Sequence, residues 1–277
     1  MILSASRRTD IPAFYSEWLM NRIKEGYVDV KNPMNKQQIR KINLEPETID
    51  CIVFWSKNPK PMLEKLQHLN KFIYYFQYTL NPYDNDIETN LPPKKEIIET
   101  FLKLSDITGP QKIIWRYDPV LLNLRYTINY HIDQFSELSK KLKNHSEKVI
   151  FSFIDFYKKN KKYIISSGIK ETTTEDKYLL AKNFSKIASE NNQLIETCAE
   201  DIDLSGFNIG HSKCIDDKLI TKLTGKNLMV KKDRNQRLEC GCVCSIDIGE
   251  YNTCQNGCIY CYANYSPSCQ NPKSILY

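Results

Sequence analysis

The segment Tyr251-Asn-Thr-Cys254-Gln-Asn-Gly-Cys258-Ile-Tyr-Cys261-Tyr-Ala-Asn264 places three cysteines in a Cys-x3-Cys-x2-Cys spacing. Three thiolates on one tight loop can ligate three irons of a cubane [4Fe–4S] cluster and leave the fourth iron open to another ligand. Zinc is the competing reading. Structural zinc sites typically draw four closed ligands from paired arms, and this loop supplies three.

A second constellation, Cys240-Gly-Cys242-Val-Cys244, lies just upstream, with Cys198 and Cys214 before it. A Cys-x-Cys pair cannot easily hold a metal alone. Cys198 sits at the end of a predicted strand and Cys214 follows a glycine-containing loop, so Cys198, Cys214, Cys240 and Cys242 can converge. A second [4Fe–4S] cluster is the first reading of that set and a tetrahedral zinc the next, on the same ligands. Buried free cysteines are the plain alternative. Cys244 is a substitute ligand, and Cys51 and Cys269 are spares.

Of ten cysteines in 277 residues, only Cys51 precedes position 198. The start, Met1-Ile-Leu-Ser-Ala-Ser-Arg-Arg-Thr-Asp10, lacks the apolar core of a secretory signal, and no apolar run is long enough for a membrane span. A cytoplasmic location with no membrane partner is therefore expected, where clustered cysteines read as metal ligands rather than disulfides. A net charge of +6 falls short of a dedicated nucleic-acid binder. The run Lys158-Lys-Asn-Lys-Lys162 reads as a solvated face. The four histidines, His68, His131, His145 and His211, form no HxH or HExxH pattern, which disfavours a metal-dependent hydrolase, and no histidine is placed to partner a cysteine nucleophile.

The elements that must position these groups alternate. Strands are predicted at Ile2 to Ser6, Asp50 to Trp55, Phe72 to Thr79, Lys112 to Arg116, Lys148 to Ile154 and Leu194 to Thr197. Helices are predicted at Phe14 to Glu25, Pro61 to Leu69, Pro93 to Ile107, Thr127 to Lys143 and Thr174 to Glu190, and a hairpin at Tyr27 to Leu44. Such alternation implies βα units and a parallel sheet. The nearly continuous apolar run Cys51-Ile-Val-Phe-Trp55 is that of a strand buried on both faces, so the expected fold is α/β, a parallel (β/α) partial TIM-like barrel. Residues 1–197 form its body. Residues 198–277 are read as a cysteine-rich, metal-binding Fe–S segment that completes the barrel.

Polar residues gather past the predicted strand ends: Ser6 to Asp10, Ser56 to Pro59, Asn81 to Tyr83, Arg116 to Pro119 and Asp155. This is the edge where parallel α/β sheets bind ligands. Arg7, Arg8, Lys57 and Arg116 would give that mouth a positive lining suited to carboxylate or phosphate.

The Cys254/Cys258/Cys261 spacing is the signature of the radical S-adenosylmethionine (SAM) enzymes. Its flanks, Tyr-Asn-Thr-Cys and Tyr-Cys-Tyr-Ala-Asn, resemble those of spore photoproduct lyase and its relatives. Ser4 to Asp10 followed by Glu17, and Ser56-Lys57-Asn58-Pro59, resemble segments that follow the cluster loop in those proteins. Here they precede it by about 240 residues, so the order reads as a circular permutation in which residues 243–248 supply the first strand. The full pattern, with Arg-x-x-Cys-Gly-Cys and Ser-x-Asp-Ile-Gly-x-Tyr ahead of the triad, also resembles an uncharacterised bacterial family catalogued as domain of unknown function eighteen-forty-eight.

The radical SAM resemblance implies that Cys254, Cys258 and Cys261 ligate the cluster while SAM chelates the open iron. Reduction by a donor such as flavodoxin or ferredoxin would then cleave SAM to methionine and a deoxyadenosyl radical, which abstracts hydrogen from a substrate. Tyr260 is placed like the adenine-contacting residue, Ser56 and Lys57 would meet the methionine carboxylate, and Thr9 and Asp10 would meet its amino group or the ribose. Arg116 joins them on the cofactor-binding edge. The substrate can be a small molecule, a peptide or a nucleic acid. The alternative is a non-catalytic zinc or Fe–S metalloprotein that binds a phosphorylated or acidic ligand.

Overall fold

In a computed structural model, residues 1–264 are described; Cys269 lies outside the described residues. The strands are β1 (Ile2–Ala5), β2 (Tyr27–Asn32), β3 (Asn35–Asn43), β4 (Cys51–Ser56), β5 (Tyr74–Thr79), β6 (Ile113–Val120), β7 (Lys148–Phe153), β8 (Leu194–Thr197), β9 (Gly210–His211) and β10 (Ile246–Asp247). Eight of them form one sheet in the order β10-β1-β4-β5-β6-β7-β8-β9, parallel throughout. The order is linear, so the sheet stays open and the architecture is a partial, barrel-like α/β domain. The expected hairpin is the separate antiparallel pair β2–β3. Both edge strands of the large sheet come from residues after 197.

Helices α1 (Ile11–Phe14), α2 (Ser16–Glu25), α3 (Lys94–Thr108), α4 (Ile128–Lys141), α5 (Lys161–Ser166), α6 (Thr174–Glu190) and α7 (Asp217–Thr224) complete the described fold. The helix expected over Phe14 to Glu25 is α2, beginning at Ser16, and a short helix, α1, precedes it. Asp10 caps α1 by accepting from Ala13 N at 3.0 Å, and the chain breaks at Tyr15 before α2 begins. The Pro61 segment winds as a 3₁₀ helix over Lys60–Leu69. Thr127 caps α4 and Thr173 caps α6, the latter in a reciprocal capping box with Asp176.

Alternation along the strands sorts the core into two faces. Leu3, Ile52, Phe54, Phe76, Trp115, Tyr117 and Phe151 face the helical layer, where Phe135 of α4 stacks on Phe184 of α6 at 4.1 Å between ring centroids. Such an aromatic pair adds about 0.5–1.5 kcal/mol beyond the area it buries. Ile2, Cys51, Val53, Tyr75, Ile114 and Ile150 face the other way and pack on Cys214, Ile215, Ile220, Cys240, Cys242 and Val243. The concave side of the sheet is therefore filled by the later part of the chain. Tyr75 Oη and Gln77 Nε2 both donate to Cys214 O, at 2.6 and 2.9 Å, and fix that filling in register.

One carboxylate adds side-chain ties to the backbone pairing of the last strand with the first. Asp247 accepts from Ser4 Oγ at 2.7 Å, Ser6 Oγ at 2.6 Å and Arg7 N at 2.8 Å. The approach requires glycine at 249, because a Cβ there would stand 2.1 Å from Ser6 Oγ and 2.5 Å from Ser6 Cβ. Gly249→Ala is expected to lower the urea midpoint by the equivalent of about 1–3 kcal/mol. An unchanged midpoint would show that β10 carries no load.

Candidate functional site

The polar strand ends after β1, β4, β6 and β7 open onto one cavity of about 830 Å³ at the carboxyl edge of the sheet, lined also by Thr79 of β5, Asp247 of β10 and the loop after β8; Asn81 to Tyr83 do not line it. Cys254, Cys258 and Cys261 face it from one side, and Cys198, Cys214, Cys240 and Cys242 from another. All seven are free thiols.

The 254–261 loop is held by backbone bonds. Asn90 N donates to Asn256 O at 3.1 Å, Ile259 N donates to Ile87 O at 3.1 Å, and Glu88 bridges Cys258 in antiparallel pairing. Gly257 has φ +69°, and a Cβ there would come within 2.9 Å of Asn90 Nδ2. Tyr15 Oη donates to Thr253 O at 2.6 Å, and Asn264 Nδ2 donates to Cys254 O at 2.8 Å. The three thiols are thus presented on a braced loop rather than a loose tail. Burial pushes all three above the usual thiol range, Cys258 up to about 12.

Asp10 ties this loop to the start of the chain. Its carboxylate accepts from Lys57 N at 2.8 Å, Asn256 Nδ2 at 3.1 Å and Ala13 N. Burial raises its pKa against the pull of these donors. Ser56 is buried beside it, and its Oγ accepts from Asn58 N at 3.1 Å.

Lys57 and Tyr260, two residues assigned to SAM, meet each other through Glu88. Lys57 Nζ lies 2.7 Å from Glu88 Oε1 and donates to Tyr260 Oη at 2.7 Å, while Tyr260 Oη donates to Glu88 Oε1 at 2.5 Å. Lys94 Nζ reaches the other Glu88 oxygen at 3.0 Å, and Asn81 Nδ2 completes the knot. Burial alone would raise the Glu88 pKa, but the two lysines outweigh it and hold the group down to about 2. Nothing in the sequence marks Glu88. It stands in an aperiodic loop beside Asp84 and Asp86, and only the fold pairs it.

Arg116 is likewise committed. Its guanidinium pairs with Asp118, which Ser152 Oγ also meets, and its Nη1 reaches Cys214 Sγ at 2.8 Å. Around it, Cys198 Sγ and Cys214 Sγ lie 3.3 Å apart. Cys242 adjoins Cys214 and Cys240, and its hydrogen bond to Cys240 lowers that thiol to about 7. Thr9 is buried in the cavity wall with its hydroxyl unpartnered. Cys51, the first residue of β4, is buried and Cys244 is exposed.

Among the described residues, no three His, Cys, Asp or Glu side chains converge on a point the size of one ion. The triad presents three braced thiols at the open cavity, a donor set of the number and kind that a [4Fe–4S] cluster with a free iron position would take.

Glu88→Gln should cost about 3–5 kcal/mol at pH 7, because it leaves Lys57 buried without its counter-charge. The folded-state pKa of Glu88 is depressed from 4.5 to about 2, so its contribution is present above about 4.5 and is lost as pH falls towards 2. Denaturant titrations of both proteins at pH 7 and pH 3 check this: the gap between them must narrow at the lower pH.

No curated protein and no solved structure proves similar to this chain. Residues 2–263 match the family described as Domain of unknown function (DUF1848), nearly the whole of the described chain, and the protein belongs to that family.

Proposed function

We propose that this protein is an iron–sulfur protein of the radical SAM type, with a [4Fe–4S] cluster on Cys254, Cys258 and Cys261. The observation that carries the reading is the braced three-thiol loop facing a large cavity at the carboxyl edge of a parallel sheet. When bound and reduced, the cluster with SAM would supply a carbon-centred radical for hydrogen abstraction.

The chain's own residues do the holding. Asp10 and Asn256 lock the cluster loop onto the ends of β1 and β4, and Glu88 fixes the Tyr260 ring and the Lys57 ammonium at the cavity wall. Lys57 can offer a carboxylate only such proton donation as Glu88 leaves it, so its part is to set charge at the wall. Trp55 and Tyr262 also line the cavity. The placement of β10 beside β1 supports a circularly permuted barrel, since a strand late in the chain occupies the position ahead of the first. Cys198, Cys214, Cys240 and Cys242 line the same cavity and would hold a second cluster or, given two thiols only 3.3 Å apart, a zinc ion. The second reading, a non-catalytic zinc or Fe–S metalloprotein that binds a phosphorylated or acidic ligand, differs in ligand number: a closed metal site leaves no position for SAM.

Anaerobic reconstitution with iron and sulfide, reduction with dithionite and addition of SAM should release 5′-deoxyadenosine. Cys258→Ala should lose one cluster's iron and that product while keeping its fold. Absence of 5′-deoxyadenosine from protein with a reducible cluster would overturn the catalytic reading, and full iron retention in Cys258→Ala would overturn the triad. Cys242→Ala should remove only the second site's metal, measured as iron and zinc per chain.

A further inference from the structure

Four cations were expected to make the mouth positive, and the structure divides them. Lys57 is paired with Glu88 and Arg116 with Asp118. Arg8 donates to Gly249 O at 3.3 Å and sits 5.4 Å over the Tyr251 ring. Arg7 stands apart. Its nearest acid, Asp233 Oδ2, is 3.9 Å from Nη1, and its Nη2 is buried with no hydrogen-bond partner.

The acids beside Arg7 are occupied elsewhere. Asp233 accepts from Asn235 N at 2.9 Å and Gln236 Nε2 at 3.2 Å, closing its own turn. Asp247 is taken by the serines of β1. A guanidinium with one nitrogen buried and its N–H unmet costs free energy that an incoming acceptor would recover.

The group is also aimed in advance. The Arg7 backbone is pinned at both ends, N to Asp247 Oδ2 at 2.8 Å and O from Tyr262 Oη at 2.8 Å, and the guanidinium lies 5.4 Å over the Trp55 ring. Two residues on, Thr9 is 5% exposed, and its Oγ1 is the second unpartnered polar atom on the same wall. Two orphaned donors on one short segment, at the rim of one cavity, describe a subsite for an acceptor with more than one oxygen.

We propose that Arg7 and Thr9 form an anion subsite, which takes the phosphate or carboxylate group of a small ligand. Arg7 supplies a charged donor and Thr9 a neutral one, a combination that favours an oxyanion over a neutral carbonyl. The inference deepens the reading above by giving the cavity a ligand chemistry. The oxyanion can belong to a substrate or to the amino-acid end of SAM.

The test is a titration with inorganic phosphate, followed by tryptophan fluorescence and by equilibrium dialysis, on the protein as isolated without oxygen. Phosphate should perturb the fluorescence in the parent but not in Trp55→Phe, which should still bind by dialysis. Arg7→Gln should weaken phosphate at least tenfold, Thr9→Val several-fold, and Arg7→Lys less than Arg7→Gln. If Arg7→Gln fails to fold, the Lys and Val variants decide. No phosphate binding in the parent, or equal affinity in the variants, overturns the subsite. So does loss of second-site metal in Arg7→Gln with phosphate affinity unchanged, since Arg7 would then be balancing the Cys214 and Cys242 thiolates that lie near it. With SAM added, competition assigns the subsite to the SAM carboxylate and simultaneous binding assigns it to the substrate; both uphold it. Failure to bind SAM at all counts against the radical SAM reading and leaves the phosphate result standing.

Discussion

The Asp10 carboxylate is the fastening on which the rest of the site depends. It is buried, and three donors from separate parts of the chain meet it: Ala13 N at the start of α1, Lys57 N beyond β4 and Asn256 Nδ2 in the cysteine loop. An unpaired carboxylate in that position would be too costly to keep, so each donor stabilises the fold by sparing the others a larger penalty. The same acid that begins a short helix thereby sets where the cysteine loop sits. Asp247 repeats the device at the sheet edge, where it binds β10 to β1 through their side chains as well as their backbones.

Charge inside the cavity wall follows from burial. Glu88 can stay ionised only because Lys57, Lys94 and Tyr260 surround it, and that need consumes Lys57. Arg116 is consumed by Asp118 in the same way. A wall that looks strongly basic in sequence thus has Lys57 and Arg116 neutralised by partners, while Arg7 keeps one guanidinium nitrogen without a hydrogen-bond partner.

Much of the scaffold was legible because it rests on local periodicity. β4, β7 and β8 are continuous apolar or β-branched runs, and α3, α4 and α6 carry apolar residues at helical spacing with Thr127 and Thr173 as caps. The short elements were not. α5 begins at the end of the lysine-rich run read as a solvated face, α7 is little more than two amphipathic turns, and β9 is two residues whose pairing is decided by β8. The cysteine spacing pointed to the loop, and the strand-end polar clusters pointed to the cavity. Glu88, Asn256 and Asp247 escaped notice because their significance lies in what they touch across up to 246 residues of chain, and no window of sequence contains both partners.

The pairing of β10 with β1 has a consequence for the order of assembly. Ser4 and Asp247 are 243 residues apart, so β1 must wait beside β4 with one edge unpaired until almost the whole described chain has been made. Contacts of such separation form late and slowly, and an open strand edge invites wrong pairing in the interval. Asn256 reaches Asp10 by the same closure. The thiol loop therefore gains its brace only when the two ends of this sheet edge meet, so its geometry is among the last features of the described fold to be fixed.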